Sequence, residues 1–199
     1  MKKHFFALLI WFATIVSSLL LVKIMRVESL AFAWGLNFLL MFWISIYVET
    51  QTKELNAPYY NAQDWERNGR IYENFGIHLF RQLLVIIGWE KLNKKSNPVE
   101  KNAQALAHNL LRTKKAELGH LIIFLLVLGV SIVVAWNHGL RAALWLMIFN
   151  IVLNFYPVIL QRYNRPRIER ALRLIERNNQ RRRNQHEIMN RMPTRCNEN

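Results

Sequence analysis

The chain has 199 residues, a formal net charge of +14 and an apolar fraction of 52%. Its one cysteine, Cys196, excludes a disulfide framework and a cysteine-based metal centre. The apolar residues lie in long uncharged blocks, which excludes an ordinary water-soluble domain and makes anionic headgroups a better match for the positive charge than nucleic acid.

The first block, FFALLIWFATIVSSLLLV (residues 5–22), carries no charge. Lys2 and Lys3 precede it as they would in a signal peptide. The run exceeds the usual core of about 7–15 residues, however, and no A-x-A-like cleavage site follows before Lys23 and Arg26, so it reads as a retained span. Residues 30–48 and 142–160 are also uncharged, and residues 118–136 contain one titratable side chain, His120. Each block is 18 or 19 residues long, close to the ~20 that a helix needs to cross about 30 Å of hydrocarbon. Lipid offers no partners to backbone N–H and C=O groups, so such blocks must be helical. The expected fold class is an all-α membrane protein, with four transmembrane helices in a single domain over residues 1–178.

Of the 27 basic residues, 24 lie before the first span, in the central loop region or in the tail from Gln161 onward. The two short connectors hold only Lys23, Arg26 and Arg141. This asymmetry predicts cytoplasmic termini and a cytoplasmic central loop.

The central loop, residues 49–117, opens with the turn-like NAPYYNAQ. In the stretch that follows, Ile71, Phe75, Leu79, Leu83 and Ile86 recur at helical spacing. Residues 77–89 are apolar but number only about 13 and include Arg81, so an amphipathic interfacial or re-entrant helix is expected. NKKSNP breaks it, and VEKNAQALAHNLLRTKKAEL predicts a helix leading into the third span. Beyond Pro166, Ile168, Leu172 and Ile175 keep helical spacing among arginines, as in a basic surface helix. Residues 179–199 are expected to form a disordered basic tail.

Polar groups within spans are costly and mark function or helix packing. At about 100° per residue, Asn150, Asn154, Pro157, Gln161, Asn164 and Arg165 fall on one face of the fourth span. Thr113, Glu117 and His120 share a face at the start of the third. Glu117 and His120 are spaced to form an acid–base pair, with the carboxylate orienting the imidazole. The competing reading pairs Glu117 with Lys114 or Arg162 and leaves His120 as an interfacial anchor. The linker NHGLR makes these spans antiparallel neighbours, so their polar ends converge at one depth. His108 lies on the opposite face from Glu117, and no metal site is expected. The sequence contains no H-x-x-x-x-D, G-x-S-x-G, H-E-x-x-H, Walker or dinucleotide-binding motif.

TKKAELGH, then two spans and NFYPVILQRYNRPRIERALRLIER, resembles the glycosyl-4,4'-diaponeurosporenoate acyltransferase family over residues 113–177. A weaker likeness is WERNGRIYENFGIHLFRQLL, with Glu66 and Gly69 in the place of the family's E-x-x-G segment. The resemblance implies a bacterial inner-membrane enzyme that transfers a fatty acyl group to a sugar hydroxyl of a glycosylated carotenoid or related glycolipid. It picks out Glu66, Gly69, Glu117, His120, Asn154, Pro157, Gln161, Arg162, Asn164, Arg165 and Pro166. On chemical grounds His120 is the expected general base, oriented by Glu117. Asn154 or Gln161 is the expected oxyanion donor. Arg162, Arg165 and Arg167 suit the phosphates of an acyl donor such as acyl-CoA, and Glu66 and Asn164 complete the expected substrate-binding set. The donor is a co-substrate, and no cofactor is implied. The competing class is a non-enzymatic assembly or lipid-binding subunit, with the polar stripe used for helix packing.

Overall fold

A computed structural model describes residues 2–89 and 102–191. Among these residues the secondary structure is helical throughout, and four helices are long and apolar enough to cross a membrane. Helix α1 spans Lys2–Ile24 and α2 spans Leu30–Gln51. After a loop with two 3₁₀ segments, Pro58–Tyr60 and Asp64–Phe75, comes the short α3, Ile77–Ile86. Helix α4 runs Ala103–His138, and α5 follows at Leu140–Asn150. A π-helical turn, Ile151–Phe155, joins α5 to α6, Tyr156–Arg191. The expected all-α architecture with four membrane-length helices is therefore present.

Local chemistry sets the boundaries. The Ser29 hydroxyl caps α2 by accepting from the Phe32 N–H, and the Asn102 side chain caps α4 by accepting from Ala105. The expected five-residue connector between spans three and four narrows to Gly139, whose φ of 84° turns the chain directly into α5.

The antiparallel order is visible in contacts at the two ends. At one end Gln51 donates to the Lys3 carbonyl, Lys115 pairs with Glu49, and Arg162 pairs with Glu117. At the other, Glu28 lies 3.9 Å from His138. Both ends of the described chain and the central loop therefore share one end of the bundle. The main core joins α2, α4 and α5 through Phe32, Leu36, Ile44, Ile123, Val127 and Leu146. A second, smaller core seats the loop on α6 through Tyr72, Ile77, Phe80, Ile159 and Tyr163.

Two expectations change. The apolar stripe through Ile71, Phe75, Leu79, Leu83 and Ile86 does not lie on one continuous helix. The left-handed turn at Gly76 divides it, with a 3₁₀ segment before the turn and an α-helix after it. Helix α3 buries Ile77 and Phe80 instead and turns Leu79 (72% exposed) and Ile86 (82% exposed) outward. An outward apolar face suits contact with lipid at the membrane interface. Second, α6 continues through Arg191, so residues 179–191 are helical where disorder was expected. Residues 176–189 are all exposed, and this part of the helix has no core of its own. The expected NKKSNP break and residues 192–199 lie outside the described residues.

Gly69 fixes how the loop sits. Its φ is 88°, and a Cβ there would lie 3.0 Å from the Tyr163 carbonyl oxygen and 3.3 Å from Tyr163 Cα. Both neighbours are helix backbone and have no room to move aside. Gly69→Ala is expected to lift the loop from α6 at a cost of about 1–3 kcal/mol. Faster tryptic cleavage at Arg67 and Arg70, with helix content retained, is the readout; an unchanged rate would remove this close approach as the anchor.

Candidate active site

Between the two cores lies a polar layer. Asn37 of α2, Asn150 of α5 and Asn154 of the π turn are almost wholly buried. Asn37 Nδ2 donates to the Ala33 carbonyl at 2.8 Å, and Asn150 Nδ2 donates to the Phe124 carbonyl at 3.0 Å. Each of these side chains therefore presents its carbonyl oxygen to the next amide. Asn154 Nδ2 donates to Asn37 Oδ1 at 2.7 Å and to Asn150 Oδ1 at 3.0 Å. Both of its N–H groups are then used.

This chain of donors sets the state of His120. Asn154 Oδ1 is an acceptor, and it lies 3.5 Å from His120 Nδ1, at the outer limit for a hydrogen bond. The compatible neutral tautomer carries its proton on Nδ1 and leaves a lone pair on Nε2. Pro157 has no N–H to return to the Leu153 carbonyl four residues earlier, so that acceptor is open to a side chain. The π turn widens the helix at the same place, with the Tyr156 N–H bonded to the Ile151 carbonyl. His120 itself is only partly buried.

Toward the end of the bundle that holds the loop, four charges are buried together. Arg162 Nε donates to Glu117 Oε1 and its Nη1 donates to Glu66 Oε1, both at 2.7 Å. Its Nη2 donates to the Tyr59 carbonyl, and the guanidinium lies over the Tyr59 ring. Arg165 Nη2 donates to Glu117 Oε2, and its Nη1 donates to the Tyr60 carbonyl at 3.1 Å. Tyr72 and the Gln63 N–H donate to the two oxygens of Glu66. Two carboxylates and two guanidiniums thus neutralise one another, which is what their burial demands.

These contacts rearrange several expectations. Glu117 does not orient His120, because both of its oxygens are taken by arginines; the competing pairing with Arg162 is the one formed. Asn154 has no N–H left for an oxyanion, whereas Gln161 on the same face of α6 has no hydrogen-bond partner among the described residues and remains available. Arg162 and Arg165 point inward, away from any surface phosphate. Arg167 is half exposed, stacked on Tyr163 and 3.8 Å from Glu73. Glu66 is buried within the cluster, and Asn164 is partly exposed beside it.

Sequence reasoning missed Asn37, although a lone amide in an uncharged span is a readable signal. It also missed Tyr59, Tyr60 and Tyr72, whose roles depend on backbone carbonyls and a loop path that no local pattern encodes.

Burial opposes the charge on Glu66, but hydrogen bonds from Tyr72, the Gln63 backbone and Arg162 outweigh it and hold the carboxyl below its ordinary value of 4.5. A depressed folded-state pKa means the contribution to stability is complete above the unfolded value and is lost as pH falls through the folded one. Melting temperature in detergent is expected to drop as pH is lowered below about 4.5, and Glu66→Gln should flatten that drop. An equally steep decline in the variant would assign the acid sensitivity to another group.

The model of the glycosyl-4,4'-diaponeurosporenoate acyltransferase family matches residues 56–174, a segment that holds the charge cluster, His120 and Asn154. A protein of that name from Staphylococcus aureus (strain MRSA252) is 26% identical over 127 residues, covering 61% of this chain and 73% of that protein. Proteins of the same name from strains bovine RF122 / ET3-1 and N315 are 33% identical over 81 residues, which is 40% of this chain and 46% of theirs. No solved structure matches the chain. Because the family match covers more than half of the sequence, the protein belongs to the glycosyl-4,4'-diaponeurosporenoate acyltransferase family and is an acyltransferase.

Proposed function

We propose that the protein moves a fatty acyl group from a thioester donor, such as acyl-CoA, to a sugar hydroxyl of a glycosylated carotenoid or related glycolipid in a bacterial inner membrane. The observation that carries this reading is the amide network ending at His120, which leaves Nε2 as a proton acceptor on a partly exposed imidazole. Nε2 takes the proton of the sugar hydroxyl as its oxygen attacks the thioester carbonyl. The new C–O bond forms, the C–S bond breaks, and the proton passes from the imidazolium to the departing thiolate. Asn154 keeps the ring oriented through both steps, the task that an asparagine performs in Cys-His-Asn sites. Gln161 is the amide free to donate to the oxyanion of the tetrahedral intermediate. The Glu66–Arg162–Glu117–Arg165 cluster positions α4 against α6, and so His120 against Asn154.

Membranes holding matched amounts of wild type or His120→Ala test the base. With labelled acyl-CoA and a glycolipid extract containing glycosylated carotenoid, the wild type should form a new lipid ester, and the variant should be slower by about 10²–10⁴-fold. Equal product from both would remove His120 from the mechanism.

In this reading both termini are cytoplasmic, because Lys3 and Arg162 lie at the same end of the bundle as the described part of the basic central loop, and basic segments stay inside. Cys196 is the chain's single thiol. A membrane-impermeant maleimide should label it only after intact spheroplasts are permeabilised, and labelling without permeabilisation would invert the topology.

A further inference from the structure

The turn that brings Glu66 and Gly69 onto α6 also builds a concave surface on the outer side of the loop. Its lining is Arg67, Asn68, Arg70, Ile71, Glu73 and Asn74. Arg67 (φ 48°) and Asn68 (φ 57°) are left-handed, and Gly69 follows at φ 88°. The first two lack glycine's freedom, so each carries a conformational cost. Part of that cost is offset by the docking of Gly69 against Tyr163. The turn leaves Arg67, Asn68 and Arg70 exposed along the concavity.

The charge balance here is the reverse of that in the buried cluster. Arg162 and Arg165 are matched by Glu117 and Glu66, so their charge is not offered to a ligand. The one carboxylate in the concavity, Glu73, already has Arg167 3.8 Å away. The guanidiniums of Arg67 and Arg70 and the amides of Asn68 and Asn74 have no partner among the described residues. Two free guanidiniums with two amide groups form a donor set suited to phosphate oxygens. Gly69 touches α6 at Tyr163, nine residues beyond Asn154, a separation of about 14 Å along the helix axis. A flexible pantetheine-type arm bridges a gap of that order, so a phosphate held at the loop places its thioester near the level of His120.

We propose that this concavity binds the phosphate groups at the nucleotide end of the acyl-thioester donor. The inference rests on the acyl-transfer reading above and moves the expected phosphate-binding role from Arg162 and Arg165 to Arg67 and Arg70.

Binding is measured apart from turnover, by titrating coenzyme A and 3',5'-adenosine diphosphate into the full-length protein in detergent. The test variant is Arg67→Asn combined with Arg70→Gln, since asparagine tolerates the left-handed backbone at 67. Wild type should bind both compounds, and the double variant should bind each more weakly by roughly tenfold per arginine removed. In the transfer assay the same variant should raise KM for acyl-CoA with kcat little changed. A control with Arg181, Arg182 and Arg183 replaced by alanine should bind like wild type. The proposal is overturned if wild type binds neither compound, if the double variant binds as wild type does, or if the tail control weakens binding equally. It is also overturned if the loop arginines govern binding of phosphatidylglycerol nanodiscs but not of nucleotide, which would make the concavity a headgroup site. Ester formation that depends on His120 but not on Arg67 and Arg70 would sink the donor pocket and leave the base intact. Nucleotide binding that depends on the loop arginines, without ester formation on any glycolipid, would sink the acceptor assignment and leave the pocket standing.

Discussion

Glu117 holds α4 to α6 through two arginines, and the remainder of the site is arranged around that fork. A carboxylate with almost no exposure needs partners that meet both oxygens. Arg162 and Arg165, nearly one turn apart on α6, supply them. Arg162 then has donors left over, and these reach Glu66 and the Tyr59 carbonyl. The central loop is thereby drawn down onto the same helix. One ion network thus registers two spans and a loop that share no sequence pattern.

That register acts deeper in the bundle, under one turn along α4 and about two turns along the fourth span. With α4 and α6 locked near residues 117 and 162, His120 falls opposite the π turn, where Pro157 leaves the Leu153 carbonyl without its usual partner. Asn154 faces the same ring. The group offered to His120 traces back to helix backbone: the carbonyls of Ala33 and Phe124 fix the orientation of Asn37 and Asn150, and those turn the Asn154 carbonyl oxygen toward the ring. Among the described residues, no carboxylate is paired with the imidazole. An amide partner orients the ring while adding no charge to a layer buried among apolar helices, where an extra unpaired charge would be costly.

The loop places inward and outward chemistry on adjacent residues. Glu66 and Gly69 face α6, whereas Arg67, Asn68 and Arg70 line the outer concavity. Three consecutive left-handed residues make this alternation within five positions, a change of face that neither a helix nor a strand would give. Immediately afterward, Gly76 redirects the chain so that α3 buries Ile77 and Phe80 and shows its remaining apolar residues to the outside. A charged concavity and an apolar helix face therefore adjoin, an arrangement suited to a substrate with an ionic end and a fatty one.

The four membrane-length apolar helices and their antiparallel order were legible in the linear chain, because hydrocarbon permits only one backbone solution for uncharged runs of this length. His120, Asn154 and QRYNRPR were legible as unusual for the same reason: polar groups at such positions are expensive. Which partner each would take was not legible. Glu117 stands three residues from His120 on one helical face, yet it turns to Arg162, some forty-five positions away, because a charged partner satisfies a buried carboxylate better than a neutral ring does. The apolar stripe of the central loop was only partly informative, since helical spacing does not show the left-handed turn at Gly76 that divides it. The sequence by itself determined the helices and the polar residues that had to be satisfied. The tertiary structure decided which of them became a structural clamp, which took an amide partner, and which were left open to solvent, because buried hydrogen bonds and charges are settled among all the helices at once.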